Sequence, residues 1–295
     1  MASANRALLR RIRSVQNTRK ITKTMELVSA SKLRRAVERV SAVRPYAEAL
    51  REVLADLLSP DLVDRFPLLR TPLAPPKGGP SRAVVLLITS NRGLCGAFNS
   101  NLIKEARRRI ATLEAEGYAV DVQAVGKKGA AFFRFAGRKP ALERVDIGDK
   151  PTAAHAAELA EPLIQAFTAG TLGRVEAVHT RYNSPLSTPP VTTQVLPIVP
   201  PTAGEPRRQR DYLLAPSAEA ILERLLPLYV ANAFYRGLVE AAAGEHGARR
   251  TAMKSATDNA QELLGTLKRS YNRQRQAGIT QELSEIVGGA AALEG

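Results

Sequence analysis

The stretch MKSATDNAQELLGTLKRSYNRQRQAGITQELSEIV, residues 253–287, decides how the chain folds. Its small and apolar side chains recur mostly three or four residues apart, at Met253, Ala256, Ala260, Leu263, Leu267, Tyr271, Ile279, Leu283 and Ile286. So narrow a stripe is typical of a helix that packs against one other helix. At about 1.5 Å per residue, a helix over residues 217–295 would be roughly 115 Å long. A helix of this length needs a long partner.

Residues 1–58 at the other end of the chain provide that partner. A seam with alternating spacings of three and four runs through Leu33, Ala36, Val40, Val43, Ala47, Leu50, Leu54 and Leu57. Upstream, a less regular stripe passes through Leu8, Ile12, Val15, Ile21, Met25 and Val28. Pro45 should bend this helix without necessarily ending it. Pro227 predicts a kink or a restart near Leu228 in the second helix.

Between the two helices the sequence alternates strand and helix patterns. Residues 59–82 hold six prolines and read as a linker. Residues 83–200 begin with a continuous apolar run, AVVLLIT, and continue as a Rossmann-like α/β domain with a largely parallel sheet. A second linker, residues 201–216, leads to the final helix. The predicted fold class is therefore α/β plus a long antiparallel coiled coil, with the terminal helices paired into a rod and the α/β domain inserted between them.

Composition limits the function classes. The net charge of the 295-residue chain is +15, and residues 1–44 alone hold twelve Arg or Lys against two Glu. This excess predicts an acidic partner, which could be nucleic acid, a membrane surface or an acidic protein. The single cysteine, Cys95, excludes an internal disulfide and fits a reducing compartment. Neither a membrane-spanning run nor a signal peptide is visible, so we expect a soluble protein.

The loop SNRGLCGAFN, residues 90–99, follows a strand and opens a helix, where backbone amides could hold a phosphate. It is neither GxGxxG nor a P-loop. A nucleotide-binding α/β enzyme with coiled-coil arms stays open as an alternative. Cys95 has no histidine at a spacing that suggests a triad, and the three histidines show no metal-ligand spacing. We predict no catalytic, cofactor or metal site.

The basic N-terminal helix leaves a second alternative, a nucleic-acid-binding coiled coil that would contact phosphates. Against it, the aromatic residues that stack on single-stranded bases are missing from this helix, and so is a recognition-helix pattern. The prediction is that no nucleic acid is bound.

Three stretches resemble the specific sequences of a known family, and not only the hydrophobic pattern of a helix or strand. Residues 12–28 (IRSVQNTRKITKTMELV) with residues 30–33 (ASKL) resemble the N-terminal signature of the gamma subunit of bacterial F-type ATP synthases. Residues 252–259 (AMKSATDN) and 271–290 (YNRQRQAGITQELSEIVGGA) resemble the C-terminal signature of that family, and residues 92–96 (RGLCG) its loop after the first strand. The resemblance covers essentially the whole chain.

This resemblance implies a central rotor shaft that couples ion flow to ATP synthesis or hydrolysis and has no catalytic residue of its own. The implied partners are the alpha and beta subunits, the small epsilon subunit and the membrane ring of c subunits, with one copy of the chain per complex. The implied location is the cytoplasmic side of a bacterial inner membrane, as a peripheral protein.

The resemblance also assigns subunit-contact residues by position. It implies that Arg275 and Gln276 contact a loop of the beta subunit, and that Thr280, Glu282 and Glu285 take part in coupling. Met25 occupies a sensitive position on the facing helix. The basic side chains expected to face acidic loops of the catalytic subunits are Arg19, Lys20, Lys23, Arg34 and Arg35. Asn91 departs from the family pattern, in which many relatives have Asp, so an ion pair there is not expected.

Overall fold

The computed structural model describes residues 2–58, 62, 65–70, 81–185, 187–199 and 217–293. Two long helices are its main elements, α1 (Ala2–Leu57) and α5 (Ala218–Leu293). Each continues through an internal proline. Of the predicted kink or restart near Leu228, the restart does not occur. Leu226 and Val230 on either side of Pro227 are almost fully buried in a hydrophobic core. Their packing holds the helix together where one backbone hydrogen bond is lost.

A mixed α/β domain lies between the long helices in sequence. Its elements are β1 (Arg82–Ile88), α2 (Phe98–Ala115), β2 (Ala119–Val125), α3 (Lys127–Phe135), β3 (Leu142–Arg144), α4 (Ala153–Thr168), β4 (Arg174–Thr180) and β5 (Pro190–Leu196). The strand order is β3-β2-β1-β4-β5. Only the β4–β5 pair is antiparallel. The predicted fold class, α/β with long terminal helices, is confirmed.

The sheet is buried on both faces, as the apolar run of β1 predicts. Ala83, Val85 and Leu87 point to the face covered by α2 and α3. Val84 and Ile88 point to the other face, where α4 and the long helices supply the core. Such double burial is typical of parallel sheets with helices on each side.

Part of the predicted linker at residues 59–82 belongs to this core. Phe66, Leu68 and Leu69 are buried, and the backbone N–H of Ile198 donates to the Leu68 carbonyl at 2.8 Å. This part of the stretch is therefore packed onto the domain. Most of the remaining linker residues, and the whole linker at residues 201–216, lie outside the described residues.

The contacts divide the chain into two compact units, Met1–Ser29 with Arg250–Gly295, and Ala30–Arg249. In the larger unit Leu33, Ala36 and Val40 of α1 pack against Val239 and Ala243 of α5. All eight residues of the predicted seam from Leu33 to Leu57 are buried or half-buried. In the smaller unit, which we call the helix pair, α1 and α5 run antiparallel. Within the described residues, no helix is both long and apolar enough to cross a membrane.

Candidate functional site: the helix pair and its free end

Most of the predicted subunit-contact residues lie in the helix pair. They are Arg19, Lys20, Lys23 and Met25 on α1, and Arg275, Gln276, Thr280, Glu282 and Glu285 on α5. Its small hydrophobic cluster consists of Ile12, Leu264 and Leu267, with Leu8, Val15 and Tyr271 packed against it. Leu263, predicted to lie in the seam, is 40% exposed, whereas Leu264 is 4% exposed. The prediction for Leu263 is wrong because two adjacent leucines are equally apolar and only the packing selects between them.

The upstream seam on α1 is also corrected. Ile21 and Val28 are 60% and 51% exposed, so they lie outside the seam in which they were predicted. Counting back from Leu33 in steps of four and three gives the true seam, which passes through Ser29, Glu26, Thr22, Arg19, Val15, Ile12 and Leu8; all are buried or half-buried. The heptad is therefore unbroken, but four successive positions are polar.

These polar positions make contacts across and along the helices. The Arg19 guanidinium donates to the Gln261 side chain. The Thr257 hydroxyl donates to the Thr22 hydroxyl at 2.8 Å. A buried polar residue in a coiled-coil seam fixes register at some cost in stability. Arg19 was predicted to face an acidic subunit, but one of its N–H groups donates within the helix pair.

The face of α1 that points away from the seam is basic and apolar. Lys20 is exposed, and Lys23 is exposed with its ammonium 3.2 Å from the Glu26 carboxylate. Leu27, Ile21 and Val28 are exposed on the same segment. Met25 is half-buried. A face that combines apolar and cationic groups is suited to a protein partner with acidic side chains.

Beyond Tyr271, at most residues 2–7 of α1 can cover α5 within the described part of the chain. Ile279, Leu283 and Ile286 are at least half exposed, so the predicted continuation of the seam is wrong for this chain alone. The reason is register. Leu8 lies beside Tyr271, and only residues 2–7 of α1 remain to cover the rest of α5. We call residues 272–293 the free end.

The predicted C-terminal contact residues all lie on this free end. Arg275, Gln276, Thr280, Glu282 and Glu285 are exposed. Two of them have local contacts. The Thr280 carbonyl accepts from the Ser284 hydroxyl, and the Glu285 carboxylate accepts from the Gln281 amide, both at 2.9 Å. The side chains of Arg275 and Gln276 have no partner within the described chain.

Arg34 and Arg35 belong to the larger unit. Both are exposed, and Arg34 lies 3.3 Å from the Glu38 carboxylate one turn along α1. An exposed pair of this kind contributes little to stability. Arg35 stays available to an acidic partner.

The loop at residues 90–99 is a structural turn held by its own side chains. The Ser90 hydroxyl donates to the Arg92 carbonyl at 2.6 Å, and Cys95 is buried with the Asn99 amide 3.2 Å from its sulfur. Arg249 of α5 donates to the carbonyl of Gly93 at 3.3 Å. Leu94, with φ of 61°, is exposed at its tip. The loop therefore connects the sheet domain to α5 through this hydrogen bond.

The first amides of the neighbouring helix α3 are all occupied. The Lys127 N–H donates to the Asn91 side chain at 2.9 Å, the Lys128 N–H to the Ser90 carbonyl at 3.2 Å, and the Gly129 N–H to the Thr89 hydroxyl at 2.9 Å. A helix start binds phosphate through free amides. The start of α3 therefore offers none of these three amides to a phosphate. The Asn91 amide also donates to the Val145 carbonyl, which an aspartate could not do.

Sequence reasoning missed a group of charged side chains around Asp149. The Lys32 ammonium donates to the Asp149 carboxylate, Arg249 contacts Glu245 at 2.6 Å, and His246 lies 3.4 Å from Asp149. Burial alone would raise the pKa of Asp149, but the hydrogen bond from Lys32 holds it below its usual value. Burial raises the pKa of Glu245, opposed by Arg249. No spacing in the sequence marks this group, because the residues come from distant segments.

One atom each of Asp149, Glu245 and His246 lie within 4.8 Å of one another, as in a metal site. The position of the proton on His246 does not fit a metal site. Arg249, which can only donate, lies 3.3 Å from His246 Nδ1, so the neutral imidazole carries its proton on Nε2, facing Asp149. With both carboxylates paired to cations, the group is an ion-pair network within the larger unit.

The family of the chain follows from comparison with known proteins. A family model described as ATP synthase matches residues 4–293. An ATP synthase gamma chain from Gemmatimonas aurantiaca is 61% identical over 287 residues, which are 97% of each chain. The chain belongs to the ATP synthase gamma chain family. It is therefore a subunit of an ATP synthase, and the resemblance seen in its terminal motifs is confirmed.

More distant relatives agree over the full length. The ATP synthase gamma chains of Frankia casuarinae and Leptospira biflexa are 43% and 42% identical, covering 99% and 98% of this chain and the same shares of their own. The fold is also similar to a chain in the rotor of the Euglena gracilis mitochondrial ATP synthase, with a TM-score of 0.66 and 20% identity over 95% of this chain and 100% of that one.

Proposed function

We propose that the chain is the rotating central shaft of its ATP synthase, turning within the ring of alpha and beta subunits and holding no catalytic residue of its own. Family membership supports the rotor role. The observation that carries the mechanism is the free end of α5, an exposed helix with an apolar stripe and a separate set of charged and amide side chains.

The free end suits a bearing that must turn. Its apolar residues Ile279, Leu283 and Ile286 can be covered by a surrounding ring without interlocking, because apolar contact is not directional. Gln276 and Arg275 can make hydrogen bonds with a partner at some angles and not at others. An angle-dependent contact is what couples the orientation of the shaft to the state of each beta subunit.

The basic outer face of α1 has a complementary role in this proposal. Lys20 and Lys23 attract acidic loops of the surrounding subunits through a screened interaction, about 8 Å in range at physiological salt. Such attraction guides the shaft without holding it at one angle. Met25, which is half-buried beside these lysines, would be sensitive to how closely the acidic loops approach.

The remaining partners follow from the family. Chains of similar fold have been solved in the rotor of the Euglena gracilis mitochondrial ATP synthase, and together with its OSCP, F1 and c-ring. For this chain we propose the alpha, beta and epsilon subunits and a ring of c subunits, one chain per complex, at the cytoplasmic side of a bacterial inner membrane. Nucleic acid is not among the proposed partners.

The test is Gln276→Leu in the complex assembled from this chain with its alpha and beta subunits. Losing the side-chain amide removes a hydrogen bond made with the beta subunit, so we expect ATP hydrolysis to fall severalfold, as loss of about 1 kcal/mol would produce. Gln274→Leu is the matched control, because Gln274 is equally exposed and lies roughly 200° away around the helix.

Equal rates for the two variants and the wild-type complex would contradict the contact role of Gln276. Helix content measured by circular dichroism should be the same for all three chains, because leucine is a good helix former and neither position is buried.

A further inference from the structure

A cavity of about 160 Å³ opens in the larger unit where β4 and β5 meet the two long helices. Its charged and polar lining comprises Arg51, Arg181, Thr193, Tyr229, Asn232 and Arg236. A water molecule takes up about 30 Å³ in the liquid, so the space is adequate for a small tetrahedral ion. None of these residues is among the predicted subunit contacts.

Positive charge exceeds negative charge in this cavity. Arg236 lies 2.8 Å from the buried carboxylate of Glu240, whose other oxygen accepts from the Tyr182 N–H at 3.3 Å. Arg51 and Arg181 are exposed and have no carboxylate within 4.0 Å in the described part of the chain. Two guanidinium groups from separate elements thus line one space, and neither has a counter-ion among the described residues.

His179, at the back of the cavity, is 6% exposed and neutral. Burial lowers its pKa, and the charges of Arg236 and Arg181 lower it further while Glu240 raises it. Its Nδ1 lies 3.1 Å from the Thr180 carbonyl and its Nε2 3.1 Å from the Thr193 hydroxyl, so Nδ1 carries the proton and Thr193 donates to Nε2. The donors left for a ligand are the arginines, Tyr229 and Asn232.

We propose that this cavity binds a small tetrahedral oxyanion, with inorganic phosphate as the representative ligand. Guanidinium groups donate two parallel hydrogen bonds to such an anion, and Asn232 and Tyr229 can each add one. A bound anion would join α1 through Arg51, the segment after β4 through Arg181, and α5 through Arg236. It would therefore stabilise the attachment of the sheet domain to both long helices.

The experiment is calorimetric titration of the full-length chain with inorganic phosphate, at ionic strength held constant with sodium chloride. We expect one saturable site. Replacing both unpaired arginines, as Arg51→Gln with Arg181→Gln, should weaken binding at least tenfold. Arg44→Gln, on the same helix but outside the cavity, is the matched control and should leave the affinity within a factor of two.

Lack of saturable binding by the wild-type chain overturns the proposal, whatever the variants do. So does equal affinity in the double variant and in the Arg44→Gln control, which would show only general attraction to a basic protein. A melting temperature raised by phosphate in the wild-type chain and unchanged in the double variant provides the independent confirmation, because a ligand that binds the folded state stabilises it.

Discussion

At the scale of single residues, Gly126 joins β2 to α3 with a backbone φ of 95°. A Cβ atom at this position would lie 2.7 Å from the Thr89 carbonyl carbon, too close for any real contact. Gly117 has a similar φ of 88°, but a Cβ atom added there would meet no other atom within 4 Å. Replacing each of the two glycines by alanine therefore distinguishes the free-energy cost of backbone strain from the cost of a steric clash.

We expect Gly126→Ala to lower the free energy of unfolding by more than about 3 kcal/mol, because strain and backbone displacement add together. Gly117→Ala should cost about 1 kcal/mol, from strain alone. Urea unfolding of the full chain, followed by circular dichroism, measures both values. Similar losses for the two variants would show that Thr89 can move aside.

His246 makes the stability of the larger unit depend on pH. Burial is the main cause that lowers its pKa to about 4; Asp149 opposes this shift, and Arg249, Lys32 and Arg39 add to it. An unfolded histidine titrates near 6.5, so the unfolded state takes up a proton first. The contribution of His246 to the free energy of unfolding is therefore fully present above pH 6.5 and is lost as the pH falls towards 4.

His246→Gln should remove this part of the pH dependence. Because one pKa unit corresponds to about 1.4 kcal/mol, the wild-type chain should lose on the order of 3 kcal/mol more than the variant between pH 7 and pH 4. Urea unfolding at a series of pH values measures the difference. Parallel stability curves for the two chains would mean that folding does not shift the pKa of His246.

At the scale of elements, the register of the helix pair depends on which leucine of α5 enters the seam. Leu264 is buried against Ile12, and Leu263 is largely exposed beside it. Leu264→Ala should therefore cost about 2 to 4 kcal/mol, as large-to-small changes in cores do, and Leu263→Ala less than about 1 kcal/mol.

Hydrogen exchange of the amides in residues 8–20 and 257–271 is the right measurement, because it reports opening of the helix pair separately from the larger unit. Faster exchange in the Leu263→Ala chain than in the Leu264→Ala chain would reverse the assignment of the seam.

The elements show what sequence patterns can and cannot establish. The seam from Leu33 to Leu57 was predictable because its positions are apolar, and β1 because its run is continuous. The seam through Arg19, Thr22 and Glu26 was not predictable, because a heptad whose positions are polar does not appear in the pattern of apolar residues. Strand β3 has three half-buried residues, too few to show a pattern.

At the scale of the whole molecule, the terminal motifs were enough to predict the family and the fold class, both of which are confirmed. The subunit contacts could not be established in the same way. Gln276 and its neighbours are exposed, as a contact surface requires, but the partners proposed for them are other chains. Their roles stay predictions that only the assembled complex can test.

The proposed function requires that this chain turns inside its complex. The complex can be fixed to a surface through its beta subunits and a bead attached to the chain at Ala136→Cys, an exposed position; Cys95 is buried and stays unlabelled. With ATP supplied, we predict that the bead rotates in one direction, in step with hydrolysis. A stationary bead on a complex that hydrolyses ATP at the normal rate would contradict it.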